Sequence, residues 1–206
     1  MSIDPVKLDR LAEVAVRTGV NLQPGQDLVI TAPMAALDLV RAITVHAYKA
    51  GAGIVTPFFN DDAITLARYE HAPDESFDRA PGWLYEGMAA AFKGGAARMA
   101  ITGDDPMLLA DQDPTNIARL SKATSIAAKP AMNPIVGFEV NWNIVAYPGA
   151  GWASKVFPDL PVEEAQGKLM DAIFKASRLE GDDPVANWAN HTAELKKRVK
   201  WLNDHS

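Results

Sequence analysis

Apolar residues recur along the chain in two patterns, one with helical spacing and one in short runs. Helical spacing is clear at Leu39, Ile43 and Ala47, which lie four residues apart. Short apolar runs predict strands at 28–30, 53–59, 97–103 and 142–147. Because helical segments separate these runs, we predict an α/β fold: a mostly parallel sheet of about four or more short strands, with helices on both faces.

The predicted helices fill the intervals between the strands and make up the last quarter of the chain. They cover residues 4–19, 36–51, 63–71, 82–92, 115–128, 162–178 and 185–202. Proline has no N–H to donate to a strand or a helix interior. We therefore expect Pro57 near the end of the second strand, and Pro130 and Pro134 beyond the end of the helix that covers 115–128.

Charge and cysteine content narrow the class of protein. The 206 residues carry a formal net charge of −6, which argues against nucleic acid as the main partner. The absence of cysteine excludes disulfides and thiolate metal sites and favours a cytoplasmic location. No apolar run approaches the ~20 residues that a membrane helix needs, and the first ten residues are charged, so we expect neither a membrane span nor a signal peptide.

The motif GDDP occurs twice, at 103–106 and at 181–184, and invites a chemical interpretation as paired carboxylates. Asp followed by Pro is, however, a typical helix start, because Asp caps the free amides of the first turn and Pro suits the first helical position. Four such pairs precede helical patterns, and we predict a helix start at each: Asp4-Pro5, Asp105-Pro106, Asp113-Pro114 and Asp183-Pro184.

The first GDDP copy has a second possible role, because it follows a predicted strand. Ligands in open α/β sheets bind beyond the carboxyl ends of the strands, so Asp104 and Asp105 are candidates to line a cleft there. The segment YPGAGWA follows the fourth strand in the same way and adds Gly149, Gly151 and Trp152 as candidates. The glycines permit close backbone approach at a possible helix N-terminus, although GAG is too short to be a phosphate-binding fingerprint.

The sequence offers no complete active site. The four histidines are scattered without HxH or HExxH spacing, and no serine lies in a G-x-S-x-G motif. His191 belongs to an apolar stripe on the last predicted helix, where we expect it to be packed; the stripe consists of Trp188, His191, Leu195, Val199 and Leu202. Trp201 points away from this stripe, which makes it a candidate for an interface with a missing partner.

Five blocks of the sequence, in this order, resemble the amino-terminal half of the thermophilic metallo-aminopeptidases, the family of aminopeptidase T, aminopeptidase S and PepS. They are LAEVAVRTGVNLQPGQDLVITAP, AYKAGA, ITGDDPMLLADQDPTNIAR, AYPGAGWASKVFPDLPVEEAQGKLMDAIFKASRL and GDDPVANWANHTAELKKRVKWLND. The resemblance runs almost from end to end of the chain.

The resemblance implies that residues 1–206 form the amino-terminal α/β domain of a longer cytoplasmic aminopeptidase that acts on short peptides as a homodimer. Its carboxy-terminal catalytic domain would hold a pair of divalent ions (zinc, cobalt or magnesium), and no catalytic or metal-binding residue is assigned to this chain, which alone is expected to be inactive. The alternative is a free-standing α/β module that binds a small ligand or an anion and has no catalytic activity.

Overall fold

A single sheet of four parallel strands organises the computed structural model, which describes residues 3–205. The strands are β1 (Leu28–Pro33), β2 (Val55–Asn60), β3 (Ala97–Thr102) and β4 (Trp142–Ala146). Their spatial order is β2-β1-β3-β4, and the register places Leu28 of β1 between Val55 and Ala97. The parallel sheet confirms the predicted fold class.

Eight α-helices lie within the described range and connect or follow the strands. They are α1 (Pro5–Val14), α2 (Leu37–Lys49), α3 (Asp62–His71), α4 (Gly82–Lys93), α5 (Pro114–Val136), α6 (Ala150–Val156), α7 (Val162–Ala176) and α8 (Pro184–Asp204). A π-helical turn at Ala15–Gly19 extends α1, and short 3-10 helices occupy Met34–Ala36 and Asp74–Asp78. None of the described helices is long and apolar enough to cross a membrane.

The helices cover both faces of the sheet unequally. On one face, α1, α2, α6 and α7 build the main core, into which Ile30 and Met99 point with no exposed surface. On the other face, α4 and α5 build a smaller core around Val29 and Phe92. Alternate residues of a strand point to opposite faces, so the central strands are buried from both sides, as in other all-parallel sheets.

The first helix packs near the end of the chain. Lys7 forms an ion pair with Asp171 of α7, and the Arg10 guanidinium donates to the carbonyl of Gly181 at 2.8 Å. The Nε2 atom of His46 in α2 lies 2.9 Å from a carboxylate oxygen of Asp9 in α1. Contacts with both early and late segments therefore fix α1.

Three of the four Asp-Pro pairs begin helices as predicted. The carboxylates of Asp4, Asp113 and Asp183 each accept a hydrogen bond from a first-turn amide of α1, α5 and α8, at 2.8–2.9 Å. The prediction is wrong for Asp105-Pro106, which opens a run of turns over 106–111. In this segment the amides of Leu108, Ala110 and Gln112 donate to carbonyls only three residues earlier, as in turns. Asp113, which precedes Pro114, is extended, so α5 begins only at the second pair.

The two expectations drawn from proline positions are also wrong. Pro57 lies in the middle of β2, where it is tolerated because β2 is an edge strand and pairs on one side only. Helix α5 continues through Pro130 and Pro134 to Val136. The second half of α5 is held by burial of Ala131 and its neighbours against the smaller core, which offsets the lost backbone hydrogen bonds.

The apolar stripe of α8 packs only at its beginning. Trp188 is partly buried and donates from its indole nitrogen to the Ser177 carbonyl at 2.8 Å, and His191 meets its ring edge-on. Farther along, the exposed fractions of Leu195, Val199 and Leu202 are 43%, 55% and 59%. The end of α8 therefore carries apolar side chains that the described chain does not cover.

Candidate functional site at the carboxyl ends of the strands

The order of the strands reverses between β1 and β3. The chain passes from β1 to β2 on one side of the sheet and from β3 to β4 on the other. Ligands of open α/β proteins bind beyond the carboxyl ends of the strands at such a switch point. The residues predicted to line a cleft, in segments 103–106 and 148–152, lie at this edge.

The loops after β3 and β4 contact each other through two glycines. The amide of Tyr147 donates to the carbonyl of Thr102 at 2.7 Å, which extends the pairing of the two strands by one bond. Beyond it, a Cβ atom on Gly149 would collide with the Gly103 carbonyl, and one on Gly103 would collide with the Tyr147 carbonyl. The close backbone approach that the sequence suggested for Gly149 is therefore made to the neighbouring loop of the same chain.

Asp105 and Gly151 form the second contact between these loops. Asp105 accepts a hydrogen bond from the Met107 amide at 2.8 Å, and its carboxyl group lies where a side chain at position 151 would stand. Gly151 is in the first turn of α6 and Trp152 follows it, partly buried against the main core. The structure thus brings Asp105, Gly149 and Gly151 together, whereas a cleft-lining role for Trp152 stays a prediction.

The loop after β2 adds polar residues that the sequence analysis missed. The Asn60 side-chain amide donates to Asp104 at 3.3 Å, and Asp61 caps α3 by accepting from the Ile64 amide at 3.0 Å. Asp62 follows directly. The segment FFNDD at 58–62 could have indicated them, because it places polar residues at the end of a predicted strand, as GDD does at 103–105.

The aspartates at this edge influence one another electrostatically. Burial raises the pKa of the Asp62 carboxyl, and the negative charges of Asp104, Asp105 and Asp61 raise it further. The carboxylates at the start of α3 and in the loop after β3 therefore lie close enough to repel one another. This edge of the sheet is therefore locally acidic.

Tyr147 directly follows β4 and belongs to the main core. Its side chain is buried, and burial together with the negative charge of Asp38 raises the pKa of its phenol. Beside it, the Gln166 amide donates to the Pro148 carbonyl at 3.0 Å and ties the loop to α7.

Comparison with known proteins decides the family. The model of the thermophilic metalloprotease family M29 matches residues 5–206. This chain belongs to that family. It is 45% identical over 196 residues to aminopeptidase T of Thermus thermophilus, and 40% identical over 198 residues to aminopeptidase AmpS of Bacillus subtilis. The resemblance to the aminopeptidase T family is confirmed.

A solved structure agrees with the sequence comparison. Wild-type AmpT from Thermus thermophilus superimposes with a TM-score of 0.90 at 44% identity. The match covers 97% of this chain and 49% of that one, and the two curated relatives are covered over 48% of their length. The chain spans about half the length of the curated relatives that it matches.

The described residues do not fit the metal that the family name implies. Within 3–205, no group of three or more His, Cys, Asp or Glu side chains is arranged to hold a metal ion. The aspartates beyond β2 and β3 are engaged in helix capping and loop contacts. No step of metal chemistry is therefore assigned to residues of this chain.

We expect Gly149→Ala to lower the free energy of unfolding by more than about 1 kcal/mol, because its methyl group would push the β3 and β4 loops apart. Urea titration measures this change. Gly167→Ala is the matched control: it lies in the interior of α7 with nothing nearby, and we expect it to be neutral or stabilising by up to about 1 kcal/mol. Equal stability of the two variants would contradict the loop contact.

We expect Asp62→Asn to stabilise the chain at neutral pH. A carboxyl whose pKa is raised on folding binds its proton more tightly in the folded state, so the charged form reduces stability above the ordinary value of 3.8. The gain should vanish below that pH, where the parent carboxyl is protonated in both states.

Urea unfolding at about pH 7 and about pH 3 measures the difference between Asp62→Asn and the parent chain. Asp111→Asn removes an exposed carboxylate that does not contribute to the pKa shift of Asp62, and serves as the control. A stabilisation of the Asp62 variant that persists at the lower pH would show that charge repulsion is not its cause.

Proposed function

We propose that this chain is the amino-terminal α/β domain of a longer two-domain aminopeptidase, which removes amino-terminal residues from peptides. The observation that carries the proposal is the match to family M29 over 5–206, combined with coverage of only about half of relatives named aminopeptidases. The cytoplasmic location and the homodimer stay predictions from composition and resemblance.

In this proposal the loops at the carboxyl ends of the strands form one wall of the substrate cleft. Asp104, Asp105, Gly149 and Gly151 are the lining residues, with Trp152 packed behind them. An aminopeptidase substrate presents a free ammonium group at its reacting end. The aspartates that interact with Asp62 give the wall the sign of charge that attracts such a group.

The catalytic metal would be held by the other half of the parent protein. Two-metal hydrolysis requires clustered carboxylate and imidazole ligands, and no such cluster lies within 3–205. Zinc, cobalt and magnesium are the candidate ions. The contribution of this half is to shape the cleft and to restrict access to it.

The end of α8 is the proposed contact with the catalytic domain. Trp201 is 61% exposed and stacks on His205 at 4.6 Å, while Leu195, Val199 and Leu202 are exposed on another side of the helix. Isolated exposed apolar residues are ordinary, but a helix end that carries them on two sides is typical of a segment covered by a partner. Trp201 remains the named interface candidate.

We expect the purified 206-residue chain to release no p-nitroaniline from leucine p-nitroanilide with added Zn²⁺, Co²⁺ or Mg²⁺. A chimera in which this chain replaces the matching segment of Thermus thermophilus aminopeptidase T should be active. Within the chimera, Asp104→Asn should raise KM more than it lowers kcat, whereas Asp111→Asn should change neither. Turnover by the chain alone would contradict the placement of the metal; a folded but inactive chimera would contradict the assigned role.

We expect Val199→Asp to leave the unfolding free energy of the isolated chain within about 0.5 kcal/mol, because this side chain is not packed there. In the chimera the same substitution should lower the melting temperature, since a charge would then be buried against the catalytic domain. Differential scanning calorimetry of both proteins measures the two effects. Lys196→Asp, on the same helix, is the control for the change in charge, and an unaltered chimera would refute the interface.

A further inference from the structure

A small pocket opens between α4, α5 and the sheet, on the face opposite the main core. Its volume is about 230 Å³, room for about eight water molecules. Its walls are mainly apolar and include Phe58, Leu84, Tyr85, Met88, Phe92 and Ile135. The pocket adjoins the strand-end site at Asn60, which lines the pocket and donates to Asp104, but the inference below does not depend on the proposed cleft.

One cation lines this pocket. Arg98 of β3 points to the opposite face from its neighbours Ala97 and Met99, which belong to the main core. Its side chain is half-buried, and within residues 3–205 no acceptor bonds to its guanidinium. Burial lowers the pKa of the guanidinium, and no nearby carboxylate opposes this effect.

Two other partly buried arginines, Arg68 and Arg119, are paired by their surroundings. Arg119 contacts Asp74 at 2.7 Å and Asp78 at 2.6 Å, and Arg68 donates to two backbone carbonyls. Half-buried arginine without a partner is costly, because the charge has lost part of its hydration and gained nothing in return. Arg98 therefore presents an unused guanidinium to a cavity lined by apolar groups.

We propose that this pocket binds a small monocarboxylate with an apolar body, whose carboxylate pairs with the Arg98 guanidinium. A guanidinium presents two parallel N–H donors that match the two oxygens of a carboxylate. Thr31 and Asn60 add neutral polar groups at the wall, while the aromatic and aliphatic side chains contact the body of the ligand.

The charge of the residues that line the pocket also disfavours free amino acids as ligands. The described lining residues include no Asp or Glu, so a ligand ammonium group would enter the pocket without a counter-charge. The ligand class is thus an unsubstituted carboxylate of the size of an arylalkanoic or short fatty acid.

Isothermal titration calorimetry with four probes tests the proposal on the 206-residue chain. Hydrocinnamate and hexanoate differ in their apolar body, hydrocinnamyl alcohol lacks the charge, and L-phenylalanine adds an ammonium group. We expect one or both acids to bind and to raise the melting temperature, and the alcohol and the amino acid to bind at least about tenfold more weakly than hydrocinnamate.

Three variants locate the binding. Arg98→Met removes the charge and keeps an apolar side chain, so it should weaken binding of the acids at least about tenfold while leaving the free chain at least as stable. Ala128→Leu fills the pocket and leaves Arg98 in place, and should also abolish binding. Arg41→Met removes an exposed charge on α2 and should leave binding unchanged.

Several results would overturn the proposal: no binding of either acid, equal binding of the alcohol, or unchanged binding in Arg98→Met and Ala128→Leu. Equal affinity for L-phenylalanine would contradict the ligand class. A loss of stability in ligand-free Arg98→Met would show a structural role for the arginine, and Ala128→Leu would then decide whether acids enter the pocket.

Discussion

Burial of the two central strands from both sides is the constraint on which the rest of the structure depends. β1 and β3 pair on both edges and are covered on both faces, which requires crossover helices in two layers. The same parallel arrangement brings all four carboxyl ends to one edge of the sheet. The acidic loops after β2 and β3, and the glycine contact between the β3 and β4 loops, are consequences of that arrangement.

The two helix layers differ in size, and the pocket that contains Arg98 lies under the smaller one, formed by α4 and α5. The main core is continuous from α1 to the beginning of α8, whereas α4 and α5 cover the opposite face incompletely. Arg98 lies under α4 and α5, whereas its neighbours in β3, Ala97 and Met99, are buried in the main core. The free-standing binding module considered from sequence would have used the strand-end crevice, whereas this pocket lies under the helices.

Local signals in the sequence predicted most elements, and they failed where distant packing competes with them. The predicted helix caps at Asp4 and Asp183 are confirmed, because each cap and the amide that it accepts from are neighbours in the chain. The prediction that α5 ends before Pro134 is wrong, because burial against α4 and the sheet keeps this segment helical although proline removes a backbone hydrogen bond. The apolar stripe of α8 was predicted correctly as a pattern, but its last residues are exposed. Periodicity identifies an apolar stripe without showing whether the same chain covers it.

The candidate site divides in the same way. Asp104, Asp105, Gly149 and Gly151 follow from the rule that loops after parallel strands share an edge, and Asn60 and Asp62 follow from the same rule applied to β2. The close backbone approach of Gly149 to Gly103 is a contact between segments far apart in sequence, which no local pattern reveals. Arg98 was hidden because a single charged residue does not disturb an otherwise apolar strand pattern.

The contact of Arg10 with Gly181 has a consequence for synthesis on the ribosome. The two residues are 171 positions apart, so at ordinary rates of elongation the first helix waits roughly 10–30 s for this partner. The ion pair of Lys7 with Asp171 likewise forms only after residue 171 has been synthesised. In a nascent chain this side of α1 therefore lacks its late partner until the residues around Gly181 have been synthesised.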